Sequence, residues 1–478
     1  MGRLVVGALL AACGGGVACG GVIGADPIES CLGGVRVGQP LTCAVVAPGT
    51  DPDYADAVYR WVYEQSFPNG GPDYNLNNRW SQTASAPAGT GLAGDPVTLT
   101  YSYPSDGLGP ISNVNGNPAG NNVLNQKLVD WFGSVTAGKA KFREVFDRWE
   151  QLSGLRYVET SDDDAPWGTD GVLGVRGDVR IASISIDGGG GVLAFNSFPN
   201  VGDMVVDSQD NFANGSNNFR FFRNTVSHEA GHGIGILHVC PVNGTKLMEP
   251  FLQTGFDGPQ LDDARAAQRN YGDTLENNDV SGAANNLGVL SGTRTFNSLS
   301  LDSAGDVDWV RFTASSGGEL TVTVTPRGGT YLTGVQLGSA CDPGFQITGD
   351  VQDLSLDLIA ADGTTVVESS NAGSYGVAEQ IQRTIATNGS YFLRIRSLSE
   401  RPANNGNNVQ IYDFSVTYTP GGCPGDANGD NQVNFTDLNF VLANFGVTGP
   451  FVIGDVNQDG VVSFLDLNIV LSYFGRVC

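Results

Sequence analysis

The chain has three histidines, and all of them fall in one short segment, which reads SHEAGHGIGILH from Ser227. On a helix, residues four apart project from the same face, so His228 and His232 can share one metal ion. Gly235 can adopt the left-handed conformation that ends a helix and turns the chain back, which lets His238 supply a third nitrogen. Three imidazoles leave the fourth tetrahedral position to water, as a catalytic zinc requires. Glu229, next to the first ligand, is placed to take the proton of that water. Composition alone would set three histidines at such offsets about once in 10⁴ comparable sequences. A structural zinc would add a fourth protein ligand and would have no use for Glu229.

Several elements must hold that segment. Asp95 to Tyr103 alternates as a strand and stops at Pro104. Residues 122–151 carry Leu124, Leu128, Trp131, Phe142, Val145, Phe146 and Trp149 at helical spacing, with a weak point at Gly138. Leu155 to Glu159 and Asp178 to Ile186 read as further strands. A helix starts near Asn224, and another runs from Leu261 to Tyr271, stopped by Gly272. Beyond Asp273 short alternating strands separated by Gly, Asn and Ser turns predict an all-β sandwich. The last stretch is an internal duplication. Gly425-Asp426-Ala427-Asn428-Gly429-Asp430 recurs as Gly454-Asp455-Val456-Asn457-Gln458-Asp459.

At 478 residues the chain exceeds one hydrophobic core, so a multidomain architecture is expected. Fifty acidic against 25 basic residues give a net charge of −25, which argues against nucleic acid or an anionic membrane as partner. The start reads as an export signal over residues 1–25: Arg3, an apolar run from Leu4 to Ala12, then small residues to Ala25. Leu10-Ala11-Ala12-Cys13 also has the form of a lipobox, so two outcomes stand: a plainly secreted protein, or one lipid-anchored through Cys13. No other apolar run is long enough to cross a bilayer, so no transmembrane segment is expected. Export permits disulfides. Cys31–Cys43 and Cys423–Cys478 are the favoured local pairs, which leaves Cys240 with Cys341. Residues 26–75 read as an irregular N-terminal segment with an aromatic helical patch from Tyr54 to Phe67.

His228, Glu229, His232, Gly235 and His238 match HExxHxxGxxH, and on those residues the chain resembles the metzincin zinc peptidases. Met248, ten residues after His238, resembles the methionine of the turn beneath their metal. The likeness is closer to matrixins. Val192-Leu193-Ala194, Phe198-Pro199, Gly202-Asp203 and Asp207 resemble the strand and calcium loops before the matrixin zinc helix. Leu261-Asp262-Asp263 through Tyr271-Gly272 resembles the closing helix. This resemblance implies an α+β catalytic domain over residues 76–273, a mixed twisted sheet plus three helices, with one catalytic zinc and a protein or peptide substrate. Substrate would lie along the edge strand near Gly191 to Ala194, with Glu249-Pro250-Phe251 walling the primed-side pocket. Asp187, Asp203, Asp207 and Asp210 align with calcium positions of the pattern. Two departures stand out. Pro40-Leu41-Thr42-Cys43 does not match the PRCGxPD pattern, so no thiol latch on the zinc is expected. Arg180, Ala182, Phe195 and Val205 occupy the positions of a second, structural zinc.

Residues 274–420 resemble the bacterial pre-peptidase C-terminal domain through Glu276-Asn277-Asn278-Asp279, Asp306-Val307-Asp308-Trp309 and Tyr391-Phe392-Leu393-Arg394-Ile395, which implies a β-sandwich. Residues 421–478 resemble a dockerin, a small α module built on two calcium loops. Asp426, Asn428, Asp430, Gln432, Asn434 and Asp437 form the first loop, and Asp455, Asn457, Asp459, Val461, Ser463 and Asp466 the second, with Gln432 and Val461 acting through carbonyls. The resemblance implies two Ca²⁺ ions and a cohesin-like or cell-surface partner through residues 423–478. Where cohesin recognition uses small polar residues, this chain has Phe435-Thr436 and Phe464-Leu465. The whole reads as a secreted zinc metalloendopeptidase. The alternative is an inactive, calcium-stabilised extracellular binding or scaffold protein.

Overall fold

In the computed structural model, residues 42–58 except 53 and 56 are described, and residues 74–477 except 115, 241, 315–316, 335, 338–339, 342–343, 386–387, 402–407, 450–451 and 458. The export signal, Cys13, Cys31 and most of the 54–67 aromatic patch lie outside them.

A six-stranded mixed sheet carries the histidine segment. Its strands are β1 (Thr42–Val46), β2 (Val97–Ser102), β3 (Leu155–Glu159), β4 (Val179–Ile184), β5 (Val192–Ser197) and β6 (Met204–Asp207), in the order β1-β5-β6-β4-β2-β3. Strand β2 is parallel to β3 and β4, and β4 to β6, while β5 is antiparallel to β6 and β1. Strands β4 to β6 are buried throughout, which explains their runs of Val, Ile, Ala and Ser rather than strict alternation. The expected irregular prelude therefore contains a strand: β1 closes the sheet on the β5 edge.

Among the described residues of 76–273 there are four helices, not three: α1 (Leu124–Phe132), α2 (Val135–Leu152), α3 (Arg220–Gly233) and α4 (Leu261–Tyr271). The helical stretch at 122–151 breaks at Gly133, which takes φ +82°, after which the Ser134 hydroxyl caps α2 by accepting from Ala137 N at 3.1 Å. Gly138 is no break. A Cβ there would stand 2.7 Å from the Leu128 side chain, so its missing side chain lets α2 lie against α1. Edge-on ring contacts of Phe132 (5.0 Å) and Phe142 (5.2 Å) with Phe222 tie α1 and α2 to α3, and Trp131 meets Phe212, in the segment before α3, at 5.1 Å.

Beyond residue 284 two antiparallel-rich sheets face each other. One orders Glu379–Ile385, Gly318–Arg327, Gln410–Pro420 and Gly292–Leu301; the other orders Val366–Ser370, Gln352–Ile359, Gly389–Glu400, Val307–Ala314 and Asn285–Val289. The expected sandwich docks on α4, where buried Arg265 donates to Val409 O at 2.8 Å and Gln268 to Ser298 O at 2.6 Å. The chain ends in two short helices, α5 (Phe435–Ala443) and α6 (Phe464–Ser472), around a core of Val433, Val441, Val462 and Val470.

Candidate metal centre

Helix α3 is buried from Asn224 to Gly233, so His228, Glu229 and His232 all face the interior. Gly235 takes φ +92°, and a Cβ there would meet Asn78 O at 2.3 Å. That reversal brings His238 back over the helix. The three Nε2 atoms converge: 3.0 Å between His228 and His232, 3.1 Å between His228 and His238, and 3.2 Å between His232 and His238. Nitrogens bound tetrahedrally to one zinc at about 2.0–2.1 Å would stand roughly 3.3 Å apart. The donor set fits that ion.

The far ring nitrogens fix the tautomers. His228 Nδ1 donates to Leu247 O and His232 Nδ1 to Ile236 O, both at 2.7 Å, which leaves the Nε2 lone pairs turned inward. Burial pushes His228 down to about 4 and His232 well below the ordinary range, so both rings are neutral donors. Met248 is fully buried beneath the helix, where a Cβ on Gly231 would meet its Sδ at 2.5 Å. Its carbonyl accepts from Val239 N at 3.0 Å, tying the turn to the segment that carries His238.

Glu229 is also fully buried, and burial raises its carboxyl well above the usual range. Its Oε1 accepts from Val45 N of β1 at 3.0 Å. Cys43 of the same strand is a free thiol, so the expected Cys31–Cys43 disulfide is not formed. Instead Cys43 Sγ lies 3.6 Å from His238 Nε2, within ligand reach of His232 and His238 together. A sulfur at about 2.3 Å and a nitrogen at about 2.1 Å on one tetrahedral zinc are separated by roughly 3.6 Å. Contrary to the expectation of no thiol latch, a thiol stands beside the three histidines. The residue context differs from the PRCGxPD pattern, but the geometry supplies the thiol. Cys240 and Cys423 are disulfide-bonded. The side chain of residue 341 and residue 478 lie outside those described, so their pairings remain expectations.

The four aspartates aligned with calcium positions do not form one cluster at ligand distance. Asp187 accepts from Val192 N, Asp207 from Ile186 N and Gln209 N, and Asp210 from Gly190 N. Asp203 stands apart, accepting from Arg180 N at 2.9 Å. Where the matrixin resemblance would put a second zinc, Arg180 is buried against Asp162, at 2.7 Å from Nη2 and 3.0 Å from Nε. In the C-terminal repeat, Asp426, Asp430 and Asp437 come within ligand distance of one another. The second loop repeats the turn, with Asp459 and Gly460 N donating to Asp455, and Asn457 and Ser463 N donating to Asp466.

One cluster was not foreseen. Asp273, Glu276 and Asp308, and also Glu276, Asp302 and Asp306, lie within ligand reach of one another where the sandwich begins. Asp306 Oδ1 and Asp308 Oδ1 are buried without hydrogen-bond partners, an arrangement that suits a divalent cation. The sequence showed Glu276, Asp306 and Asp308 only within two separate motifs, Glu276 to Asp279 and Asp306 to Trp309, and Asp302 in neither.

The Matrixin family model matches residues 131–272. The hatching enzyme of Paracentrotus lividus is 28% identical over 185 residues, 36% of this chain and 27% of that protein. The chain thus spans about a quarter of that relative's length. Solved structures with some similarity include the pre-peptidase C-terminal domain of a Bacillus anthracis collagenase, 16% identical over 28% of this chain and 94% of that one, at a TM-score of 0.19. Another is a Podospora anserina GH26-CBM35 mannanase, 8% identical over 34% of this chain and 36% of that one, at a TM-score of 0.15. At such scores no common fold is established. The family match and the relative support a metzincin-like zinc metallopeptidase at the level of the family.

Proposed function

We propose that the chain is an exported zinc-dependent endopeptidase, with His228, His232 and His238 as zinc ligands and Glu229 as general base. The convergence of three inward-turned Nε2 atoms within 3.2 Å, with Glu229 beside them, carries this reading. When bound, zinc polarises the scissile carbonyl and acidifies the attacking water. Glu229 takes the proton of that water and returns it to the leaving amine. The β5 edge holds the peptide extended, and residues 250–252 close its other side. Cys43 would fill the coordination position that water needs, which would hold the chain latent. The Asp426–Asp437 and Asp455–Asp466 loops each take one Ca²⁺ and stabilise the C-terminal helices, whose exposed Phe435 and Phe464 suit an extracellular partner.

The test is Glu229→Gln in a Cys43→Ser background. Casein cleavage should fall by about 10²–10⁴ while zinc stays at one per chain. Equal cleavage by the two proteins would rule out the assigned base.

A further inference from the structure

His228 and His232 are placed by the helix that carries them, but His238 arrives on the segment beyond it, and distant parts of the chain hold that segment. Leu237 N donates to Asn75 O at 2.9 Å, and the Asn75 side chain donates to His238 O at 2.6 Å. Val239 N donates to Met248 O. Cys240 N, two residues after the ligand, donates to Gly334 O at 3.0 Å in an antiparallel bridge. Gly334 follows the short strand Thr330–Thr333, which lies in an insertion between the sandwich strands Gly318–Arg327 and Gln352–Ile359. Cys240 is also disulfide-bonded. The sandwich thus reaches the third histidine's own segment.

A second route runs to the same place through α4. Buried Arg265 donates from Nη1 to the hydroxyl of Tyr331, in that insertion, at 2.6 Å, and from Nε to Val409 O at 2.8 Å. Its guanidinium lies over the Tyr74 ring, 5.8 Å from the centroid, and Tyr74 precedes the Asn75 that holds His238. Val409 and Ile411 of the sandwich are buried in the same apolar cluster as Tyr74, Leu247 and Met248. Side chains of one region that enter the core of the other make a fixed joint, unlike the polar contacts across which domains usually move.

We propose that the sandwich is a part of the metal centre, with Cys240, Arg265 and Tyr331 as positioning residues that hold the 237–240 segment, and with it His238, against the other two imidazoles. This rests on the three-histidine zinc site of the reading above. The physical reason is entropic. A segment beyond a helix end must be ordered before its imidazole can face the other two, and contacts that order it in advance remove that cost from metal binding. Groups that orient a ligand without touching the metal typically change metal affinity about 10–100-fold.

Zinc dissociation constants of the full-length chain, measured against a chromophoric chelator, test this. The background is Cys43→Ser/Glu229→Gln, in which no thiol stands in for a lost imidazole and no proteolysis intervenes. Tyr331→Phe deletes the hydroxyl that accepts from Arg265 and should weaken zinc binding about tenfold; Cys240→Ser, which cuts the covalent tie, should weaken it at least as much. Asp357→Asn is the comparison. Asp357 is a buried carboxylate whose partners, Arg394 at 2.7 Å and Arg396 at 3.3 Å, lie within the sandwich, so its loss weakens the sandwich alone and should leave zinc affinity unchanged. With cobalt(II) in place of zinc, the visible bands of the tetrahedral site should weaken in Tyr331→Phe and Cys240→Ser and persist in Asp357→Asn. Unchanged zinc affinity in both Tyr331→Phe and Cys240→Ser would overturn the proposal and leave the three-histidine site standing. Equal weakening in all three variants would overturn it too, because zinc would then follow overall stability. A background chain that binds no zinc would overturn the zinc-site reading as well.

Discussion

At residue scale, the metal centre depends on two glycines that fail differently when filled. Gly235 sits at φ +92° with a backbone oxygen, Asn78 O, 2.3 Å from where a Cβ would be. Backbone cannot swing aside, and the left-handed conformation alone costs an L-residue about 1–2 kcal/mol. Gly235→Ala should therefore lower the melting temperature and bring bound zinc below one per chain, read by thermal melts and elemental analysis. At Gly231 the obstacle is the Met248 sulfur, 2.5 Å away, on a side chain with rotatable bonds. Gly231→Ala should keep its zinc and lose less stability than Gly235→Ala. The reverse order would mean that His238 is not held in place by the turn.

At the scale of elements, the loop at 162–167 is pinned to β4 by a fixed guanidinium. Arg180 donates to both Asp162 oxygens and, at 3.0 and 3.1 Å, to Ala165 O and Pro166 O, with side chains 1% and 3% exposed for Arg180 and Asp162. Breaking a buried pair strands a charge and typically costs about 3–5 kcal/mol. Asp162→Asn should lower the unfolding free energy obtained from urea melts by an amount in that range. Asp147→Asn on α2 is the comparison, because Asp147 pairs with Arg143 while about half exposed. Such a surface pair is worth at most about 1 kcal/mol. Equal effects would show that Arg180 is not the clamp of this loop.

At the scale of the whole molecule, the acidic cluster at 273–308 links the sheet-and-helix region to the sandwich. Asp273 accepts from Ser300 N at 2.7 Å, and Tyr412 of the sandwich donates to Asp308 at 2.6 Å. Burial first, and repulsion between the carboxylates after it, raise Asp273 to about 6, Glu276 to about 8 and Asp306 to about 10; burial likewise takes Asp302 to about 6. Unfolded carboxylates titrate near pH 4. Groups whose folded values lie higher contribute stability that is present in full below about pH 4 and lost as pH rises through 6 to 10. In chelator the melting temperature should therefore fall as pH climbs from 5 to 9, and Asp306→Asn should flatten that slope. Calcium at pH 8 should restore the loss in the wild-type chain. A melt indifferent to calcium at pH 8 would mean that protons, not a cation, neutralise the cluster.

What the sequence by itself determined was whatever chemistry is local. The three histidines, Glu229 and Gly235 lie on one helix and the turn after it, so the helical period and one glycine conformation suffice to bring the nitrogens together. The sandwich strands and the duplicated loops were legible for the same reason, since alternation and repetition are written along the chain. Only the tertiary structure decided what arrives from far away. Val45 and Glu229 are 184 residues apart, and Cys43 and His238 are 195 apart. No periodicity marks Thr42–Val46 as the strand that completes the β5 edge, because that pairing depends on which edge the fold leaves open. The carboxylate cluster likewise joins residues that read separately as turns, and Asp162 becomes the partner of Arg180 only because its loop folds back over β4. Side chains meeting across sheets obey packing, and packing leaves no spacing in the sequence to read.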